Sequence, residues 1–485
     1  MSLFAYALTL NLIFALFRVA YILLYPIDLS PEEAQYWDWS RHLDLSYYSK
    51  PPMVAYMNYV STHLLGNTEL GVRITPVVLS FILSLFLFLF VRRLYGERVA
   101  LLASVLPNFF VGTAINSLLM TTDAPFIFFW GLSVILIHYA VERNSLSNWL
   151  AVGVSAGLAF LSKYPAVFLF PLTLLYMFLV RRELLVSFKP YISLLPASLL
   201  SFPVLWWNFQ HDFISFKHVS TLADKDAHFP SWATFLEFLA GQALLLSVVP
   251  FFILLYGWWR TFRERDRRGI FLSVYSLPVF LFFALLSLKK EVYANWAGFG
   301  YFTGAILVAL YMERLFSRKR LLFFLTLTLS AFLVFMLHFT PIIDVLGLRK
   351  LLPPKRDPVK VMVGWEELGR EVSRLCREGD FVFSLRYQTA AELAFYIEGN
   401  PRTFVFHMGR MTQYYLWRDR LSGYKGKDAI HVSEWGVPGG VKKSFESHEF
   451  LKSVDVFWRG ELIKRFKIYR MKGFKGKFYE KPRGY

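Results

Sequence analysis

The stretch Pro26-Ile27-Asp28-Leu29-Ser30-Pro31-Glu32-Glu33-Ala34-Gln35-Tyr36-Trp37-Asp38-Trp39-Ser40-Arg41-His42, continuing through Tyr47-Tyr48-Ser49-Lys50-Pro51-Pro52, lies between two long apolar runs. Acids, a His, a Lys and a series of Tyr and Trp side chains are crowded into one loop. Carboxylates beside a bilayer are costly unless water, partners or chemistry account for them. The flanking runs decide the fold. Similar runs recur from Leu3 to about Phe339, each close to the roughly 20 residues a helix needs to cross hydrocarbon. About eleven spans are expected, near residues 3–25, 71–91, 98–115, 123–141, 148–162, 165–180, 189–206, 233–256, 270–287, 296–312 and 321–340. The chain reads as an α-helical polytopic membrane protein with a C-terminal soluble α/β domain. The first run lacks the basic flank of a cleaved signal peptide.

Composition agrees. Of 485 residues 55% are hydrophobic and 50 are Phe, and mean hydropathy is +0.41, too apolar for an ordinary soluble enzyme. A single cysteine, Cys376, excludes an intramolecular disulfide and a thiolate zinc cluster. The net charge of +18 follows from basic loops against anionic headgroups. No nucleic-acid recognition motif accompanies it, so no nucleic-acid partner is expected.

The loops alternate in charge. One set carries Arg92, Arg93 and Arg98, then Arg181, Arg182 and Lys189, then Arg260 to Arg268, then Arg314 and Lys319. The other set holds few cations, among them Arg41, Lys50, Lys163, Lys217, Lys225, Lys289 and Lys290. The positive-inside rule makes the first set cytoplasmic and puts the opening loop on the exterior or periplasmic side. An odd number of spans puts everything after residue 340 on that outer side as well. The expected organisation is a membrane domain over 1–340, with the outer loop 26–70 carrying the site, and a soluble domain over 341–485. In the latter, Glu366 to Arg377 and Ala390 to Ile397 read as helices, Phe381 to Ser384 and Thr403 to Phe406 as strands, and Lys464 onward as a last strand and a basic tail.

Polar residues collect in the outer loops. Pro31 after Ser30 with Glu32 and Glu33 reads as a helix start, which accounts for one glutamate as a cap. On that helix Glu33, Trp37 and Arg41 share one face, and Glu32, Tyr36 and Trp39 line the next. Asp123 heads the fourth span, where Thr121, Thr122 or Asp123 itself can cap and the helix dipole favours a carboxylate. Lys163 either snorkels at an interface or meets an anion. His211-Asp212 and His218 invite a divalent metal but lack a metal-ligand signature, so no cofactor is implied. Lys289, Lys290, Asn295 and Trp296 form the last patch, suited to an anionic group at headgroup level.

The order of these features resembles the GT-C-type glycosyltransferases, the superfamily of protein O-mannosyltransferases and lipid A aminoarabinose transferases. Ser30-Pro31-Glu32-Glu33-Ala34-Gln35-Tyr36-Trp37 and Tyr48-Ser49-Lys50-Pro51-Pro52 carry the resemblance, with Thr122-Asp123, Ser162-Lys163-Tyr164, Trp207-Asn208, Ala294-Asn295-Trp296, and Tyr387-Gln388 in the soluble domain. The opening motif is most similar to lipopolysaccharide galacturonosyltransferases. The resemblance implies inverting transfer of a sugar from a polyprenyl-phosphate donor to a lipid or glycolipid acceptor at the periplasmic face of the inner membrane. It puts Glu32 in the place of the family's catalytic Asp, a departure of one methylene, and Glu33 in that of the following Glu. Asp123 falls on the second acid and Lys50 on the lysine that meets the donor phosphate. Lys163, His218 and Lys289 are further candidates for that phosphate, and His42, Tyr48, Asn295, Trp296, Tyr387 and Gln388 for substrate contacts. Arg386 and Arg410 would suit a uronic acid donor.

The chemistry fits those residues. Inverting transfer needs a carboxylate to take the acceptor proton at an oxocarbenium-like transition state. It also needs cations on the departing phosphate. The alternative from another class is a transporter or flippase of lipid-linked sugar. Transporters carry repeats and midplane charges, whereas here the polar residues gather at span ends on one face. A protein hydroxyl is the alternative acceptor.

Overall fold

The computed structural model describes residues 2–224, 229–406 and 411–477. Lys225, Arg410 and the tail beyond residue 477 lie outside the described residues. Four helices open the chain: α1 (Leu3–Leu24), α2 (Pro31–Ser40), α3 (Met53–Leu65) and α4 (Glu69–Tyr95). Among the described residues six helices are long and apolar enough to cross a membrane: α1, α4, Asp123–Arg143, Phe188–Gln210, Arg267–Ser287 and Arg320–His338. The other expected spans are helical but short or broken. Leu146–Ser162 and Tyr164–Val180 are short apolar helices, and the run from Glu97 is interrupted by a 3-10 turn over Leu106–Phe109.

The expected straight span over 233–256 is instead two helices, Trp232–Leu245 and Val249–Glu264, bent by 102°. Ser247 and Val248 both take a φ of 62° at the corner. The exposed backbone there is satisfied internally, as an apolar surrounding requires. The Ser247 hydroxyl donates to the Phe109 carbonyl at 2.8 Å, and the Val248 amide donates to the Ala243 carbonyl at 2.6 Å. Elsewhere small residues let helices approach closely. A Cβ on Gly153 would sit 2.1 Å from the Ser193 carbonyl oxygen, and one on Gly157 would sit 2.8 Å from Leu200 Cβ.

The C-terminal region is built on one five-stranded sheet. Its strands are β1 (Phe381–Ser384), β2 (Thr403–Val405), β3 (Ala429–Ser433), β4 (Phe445–Trp458) and β5 (Glu461–Phe474), in the order β2-β1-β3-β5-β4. The first three are mutually parallel, and β5 runs antiparallel to β3 and β4. The strands β1, β2 and β5 match the expected segments, while β3 and β4 were not anticipated.

The Tyr387–Tyr396 helix joins this sheet to the membrane helices. Leu393 faces the sheet core with Val382 and Ile430. Ala390, Ala391, Ala394 and Phe395 face α2, packing with Ala34 and Trp37, and the Phe395 and Trp37 rings meet edge-on at 4.8 Å. Complete burial of side chains such as Trp37 and Phe395 is worth about 1.5–3 kcal/mol each. The soluble domain is thereby seated on the loop that opens the chain.

Candidate active site

The helix α2 exists because its first turn is fully specified. Ser30 Oγ accepts from the Glu33 amide, the Glu33 side chain accepts from the Ser30 amide, and Pro31 stands at the first helical position. That arrangement satisfies two of the helix's orphan donors. Every residue from Glu33 to Ser40 is buried, so the short helix is held by its surroundings rather than by propensity.

Glu33 is the anchor. Arg73 on α4 grips it with two hydrogen bonds of 2.9 Å, and the Met120 amide donates to it at 3.0 Å. Burial alone would raise its pKa, but the Arg73 charge and these donors together hold the carboxyl below its ordinary value. Arg73 also donates to the Ile27 and Asp28 carbonyls. One carboxylate thus ties α2 to α4 and to the 117–122 turn, and all of its oxygens are committed. Arg73, absent from the sequence-derived candidates, carries one legible signal: a charged residue one turn inside an apolar span implies a buried partner.

Glu32, its neighbour, is exposed and has no hydrogen bond or ion pair among the described residues. One turn on, Tyr36 is buried, and its hydroxyl is pushed well above its ordinary pKa by burial and then by the charges of Glu32, Tyr387 and Asp123. Tyr36 therefore lies among both acids and the first residue of the Tyr387–Tyr396 helix. Asp123 begins the Asp123–Arg143 helix, where the macrodipole favours its charge. The Thr121 hydroxyl accepts its amide hydrogen at 3.2 Å. Its carboxylate receives Lys163 Nζ at 2.5 Å and Asn295 Nδ2 at 3.0 Å. Lys163 is available because the Leu146–Ser162 helix stops there in an extended residue, φ −160°, just before Pro165.

The remaining candidates divide. Tyr48 donates its amide to Gln413 Oε1 at 2.7 Å, and its hydroxyl lies 3.3 Å from His218 Nδ1. His218 is thus joined to Tyr48. Lys50 follows on the same loop, where its carbonyl accepts the Tyr47 amide at 3.1 Å. Lys289 is exposed; its neighbour Lys290 is the buried one, with Nζ 5.1 Å from the Trp296 ring centroid. Tyr387 and Gln388 are half-buried in the first turn of their helix. His42 lies 4.9 Å from the Trp417 ring. Burial, followed by the charges of Arg420, Arg402 and Arg41, drives its pKa down to about 3, so it is a neutral contact at physiological pH. Arg386 pairs with Glu434 at 3.8 Å. No group of three metal-ligating side chains occurs among the described residues.

Asn295 has a second environment. It lines a cavity of about 170 Å³ whose wall is mostly apolar, with Leu83, Leu87, Ile127 and Phe302 among its residues and Asn116 and Ser117 as polar points. Chemically, the arrangement offers a solvent-facing carboxylate, a second carboxylate fixed by a cation and an amide, and an apolar cavity reaching the same Asn295.

Residues 49–207 match the Dolichyl-phosphate-mannose-protein mannosyltransferase family. The chain is 30% identical over 367 residues to the lipid A galacturonosyltransferase RgtD of Rhizobium johnstonii, an alignment covering 75% of this chain and 76% of that protein. It is 28% identical over 314 residues to the undecaprenyl phosphate-alpha-4-amino-4-deoxy-L-arabinose arabinosyl transferase of Pseudomonas aeruginosa, covering 58% of this chain and 56% of that one. In fold it is similar to ArnT from Cupriavidus metallidurans bound to undecaprenyl phosphate, with a TM-score of 0.67 at 15% identity over 95% of this chain and 97% of that one. The oligosaccharyltransferase of Archaeoglobus fulgidus gives a TM-score of 0.57 at 12% identity, over 88% of this chain and 69% of that one.

Proposed function

This chain belongs to the GT-C glycosyltransferase family that includes the lipid A galacturonosyltransferases, and we propose that it transfers a sugar from a polyprenyl-phosphate donor, with inversion, to a hydroxyl or phosphate of lipid A or the lipopolysaccharide core. Transfer takes place at the periplasmic face of the inner membrane, where the sparsely basic loops of this chain lie under the positive-inside rule. The soluble domain lies on the same side, since its Tyr387–Tyr396 helix packs on α2.

The observation that carries this reading is the contrast at the head of α2. Glu33 is consumed by Arg73, while Glu32 faces solvent and, like Asp123, acts by its charge on the buried Tyr36. Glu32 takes the acceptor proton as the acceptor oxygen attacks the anomeric carbon. The bond from that carbon to the donor phosphate breaks on the opposite face, and polyprenyl phosphate departs with the electron pair. Because the leaving group is already a stable anion, no acid is needed to protonate it. Lys50 stabilises the phosphate charge as it grows.

Asp123 orients rather than deprotonates, because Lys163 and Asn295 fix both its oxygens. The apolar cavity at Asn295 suits the first isoprene units of the donor. RgtD is named as a lipid A galacturonosyltransferase and ArnT is seen bound to undecaprenyl phosphate, which favours the same classes here.

The test is reconstitution of the purified protein in liposomes with polyprenyl-phosphate sugars and lipid A, followed by mass analysis of the lipid A. A mass increase of one glycosyl unit supports the reading. Movement of the lipid-linked sugar across the bilayer with no bond transferred would overturn it in favour of a flippase.

A further inference from the structure

The far end of α2 carries a second polar cluster that the transfer chemistry leaves unused. Arg41 and His42 follow the helix, Arg402 precedes β2, and Arg420 comes from the segment after Trp417. Arg41, His42 and Arg420 gather around two Trp rings, and Arg402 is close enough for its charge to act on Asp38, His42 and Arg420. The Arg420 guanidinium lies 5.4 Å from the Trp417 centroid, His42 lies 4.9 Å from the same ring, and Arg41 lies 4.8 Å from Trp37.

Asp38 is the carboxylate that faces them among the described residues. It is buried, 3.5 Å from Arg41, and it accepts the Tyr414 hydroxyl at 2.6 Å. That leaves the guanidiniums of Arg402 and Arg420 exposed with no hydrogen bond or ion pair among the described residues. A negative helix end accounts for one nearby cation. Three arginines around a single committed carboxylate exceed that need, and their mutual repulsion is a cost that a visiting anion would relieve.

Position adds the second argument. Nine residues of helical rise separate Arg41 from Glu32, about 14 Å. The cluster also sits on the loop that carries Tyr48 and Lys50, clamped by the segment supplying Gln413, Tyr414 and Trp417. A glycolipid headgroup whose receiving oxygen is at Glu32 needs a reach of about that length, over the surface that covers α2, to arrive there.

We infer that Arg402 and Arg420, with Arg41, bind a phosphate group of the acceptor glycolipid about one helix length from the oxygen that receives the sugar. Guanidinium forks suit such oxyanions through paired, charge-assisted hydrogen bonds. The inference rests on the transferase reading above and names what its acceptor must carry.

The test is binding without donor, using the full chain in phosphatidylcholine nanodiscs with lipid A or with chemically dephosphorylated lipid A. The parent should bind the phosphorylated form on the order of tenfold or more tightly, the value of one lost charged hydrogen bond or greater. The double variant Arg402→Gln/Arg420→Gln should lose that preference, Arg402→Lys/Arg420→Lys should retain part of it, and Arg374→Gln, at an exposed arginine paired with Glu371, should retain all of it. Inorganic phosphate should compete with phosphorylated lipid A on the parent alone. Equal binding of both forms by the parent, or an undiminished preference in the double variant, overturns the inference. So does a double variant that loses only its attraction to phosphatidylglycerol vesicles, which would assign the cluster to bilayer headgroups. Binding is read without donor and without turnover, so a failure here is distinct from failure of the transferase reading.

Discussion

Two ion pairs flank the start of α2, and they are built for different ends. Arg73 and Glu33 are closed off, with side chains 2% and 0% exposed, and Glu33 is saturated by Arg73, Ser30 and Met120. Lys163 and Asp123 are 12% and 10% exposed, and Asn295 connects them to the apolar cavity. The first pair fixes three chain segments and has nothing left to offer a substrate. The second holds a charge at the edge of a space a substrate can enter. Chemically similar partners are separated in role by what surrounds them, and the same contrast distinguishes adjacent Glu32 and Glu33.

The comparison can be broken at either pair. Arg73→Met leaves a buried carboxylate without its cation, a loss of about 3–5 kcal/mol in stability. Thermal unfolding in detergent should show it, and Glu33→Gln should fall short of it because the cap partly survives. A melting temperature close to the parent's would mean that Arg73 is not structural.

Lys163→Met should behave otherwise. Transfer should fall by roughly 10²-fold through misplacement of Asp123, with a much smaller change in melting. A stability loss matching that of Arg73→Met would erase the distinction between the two pairs.

A third variant sharpens the buried side. Asp28, which accepts the Trp365 amide at 2.6 Å, has its pKa raised to about 6, first by burial, with Glu69 and Glu366 adding to it. A carboxyl whose folded pKa lies above its unfolded value stabilises the fold when protonated, and that contribution is lost as pH rises through the folded value. Glu392, buried nearby, is shifted in the same direction. Stability should therefore decline between about pH 4 and 6 by on the order of 3 kcal/mol, at about 1.4 kcal/mol per pKa unit. Asp28→Asn should flatten that slope, as read from melting temperatures across pH; an unchanged slope would remove Asp28 from the account.

The sequence showed the membrane helices through their apolar runs and the Ser30–Glu33 cap through its spacing. It could not show the 102° turn between Trp232–Leu245 and Val249–Glu264, because two residues at positive φ leave no mark in hydropathy. In the soluble domain β1 and β2 were legible as short apolar runs. The strand β4, Phe445 to Trp458, opens on an exposed polar and charged run from Glu446 to Glu449 along an edge of the sheet, and its identity comes from pairing with β5. At the site, Glu32, Asp123, Lys163 and Asn295 were each visible as polar residues at span ends. Their convergence was not, since Asp123 meets Asn295 across 172 positions of chain. Of Lys289 and Lys290 it is Lys290 that packs on Trp296, and adjacent lysines at a loop carry no sign of which turns inward.

The most direct test of the division at the head of α2 is the transfer rate of Glu32→Gln in liposomes, with melting measured on the same preparation. Loss of a general base predicts a fall of about 10²–10⁴-fold, and an exposed substitution predicts a stability change within about 0.5 kcal/mol. Transfer at the parent's rate by a folded Glu32→Gln would contradict the account and remove Glu32 as the base.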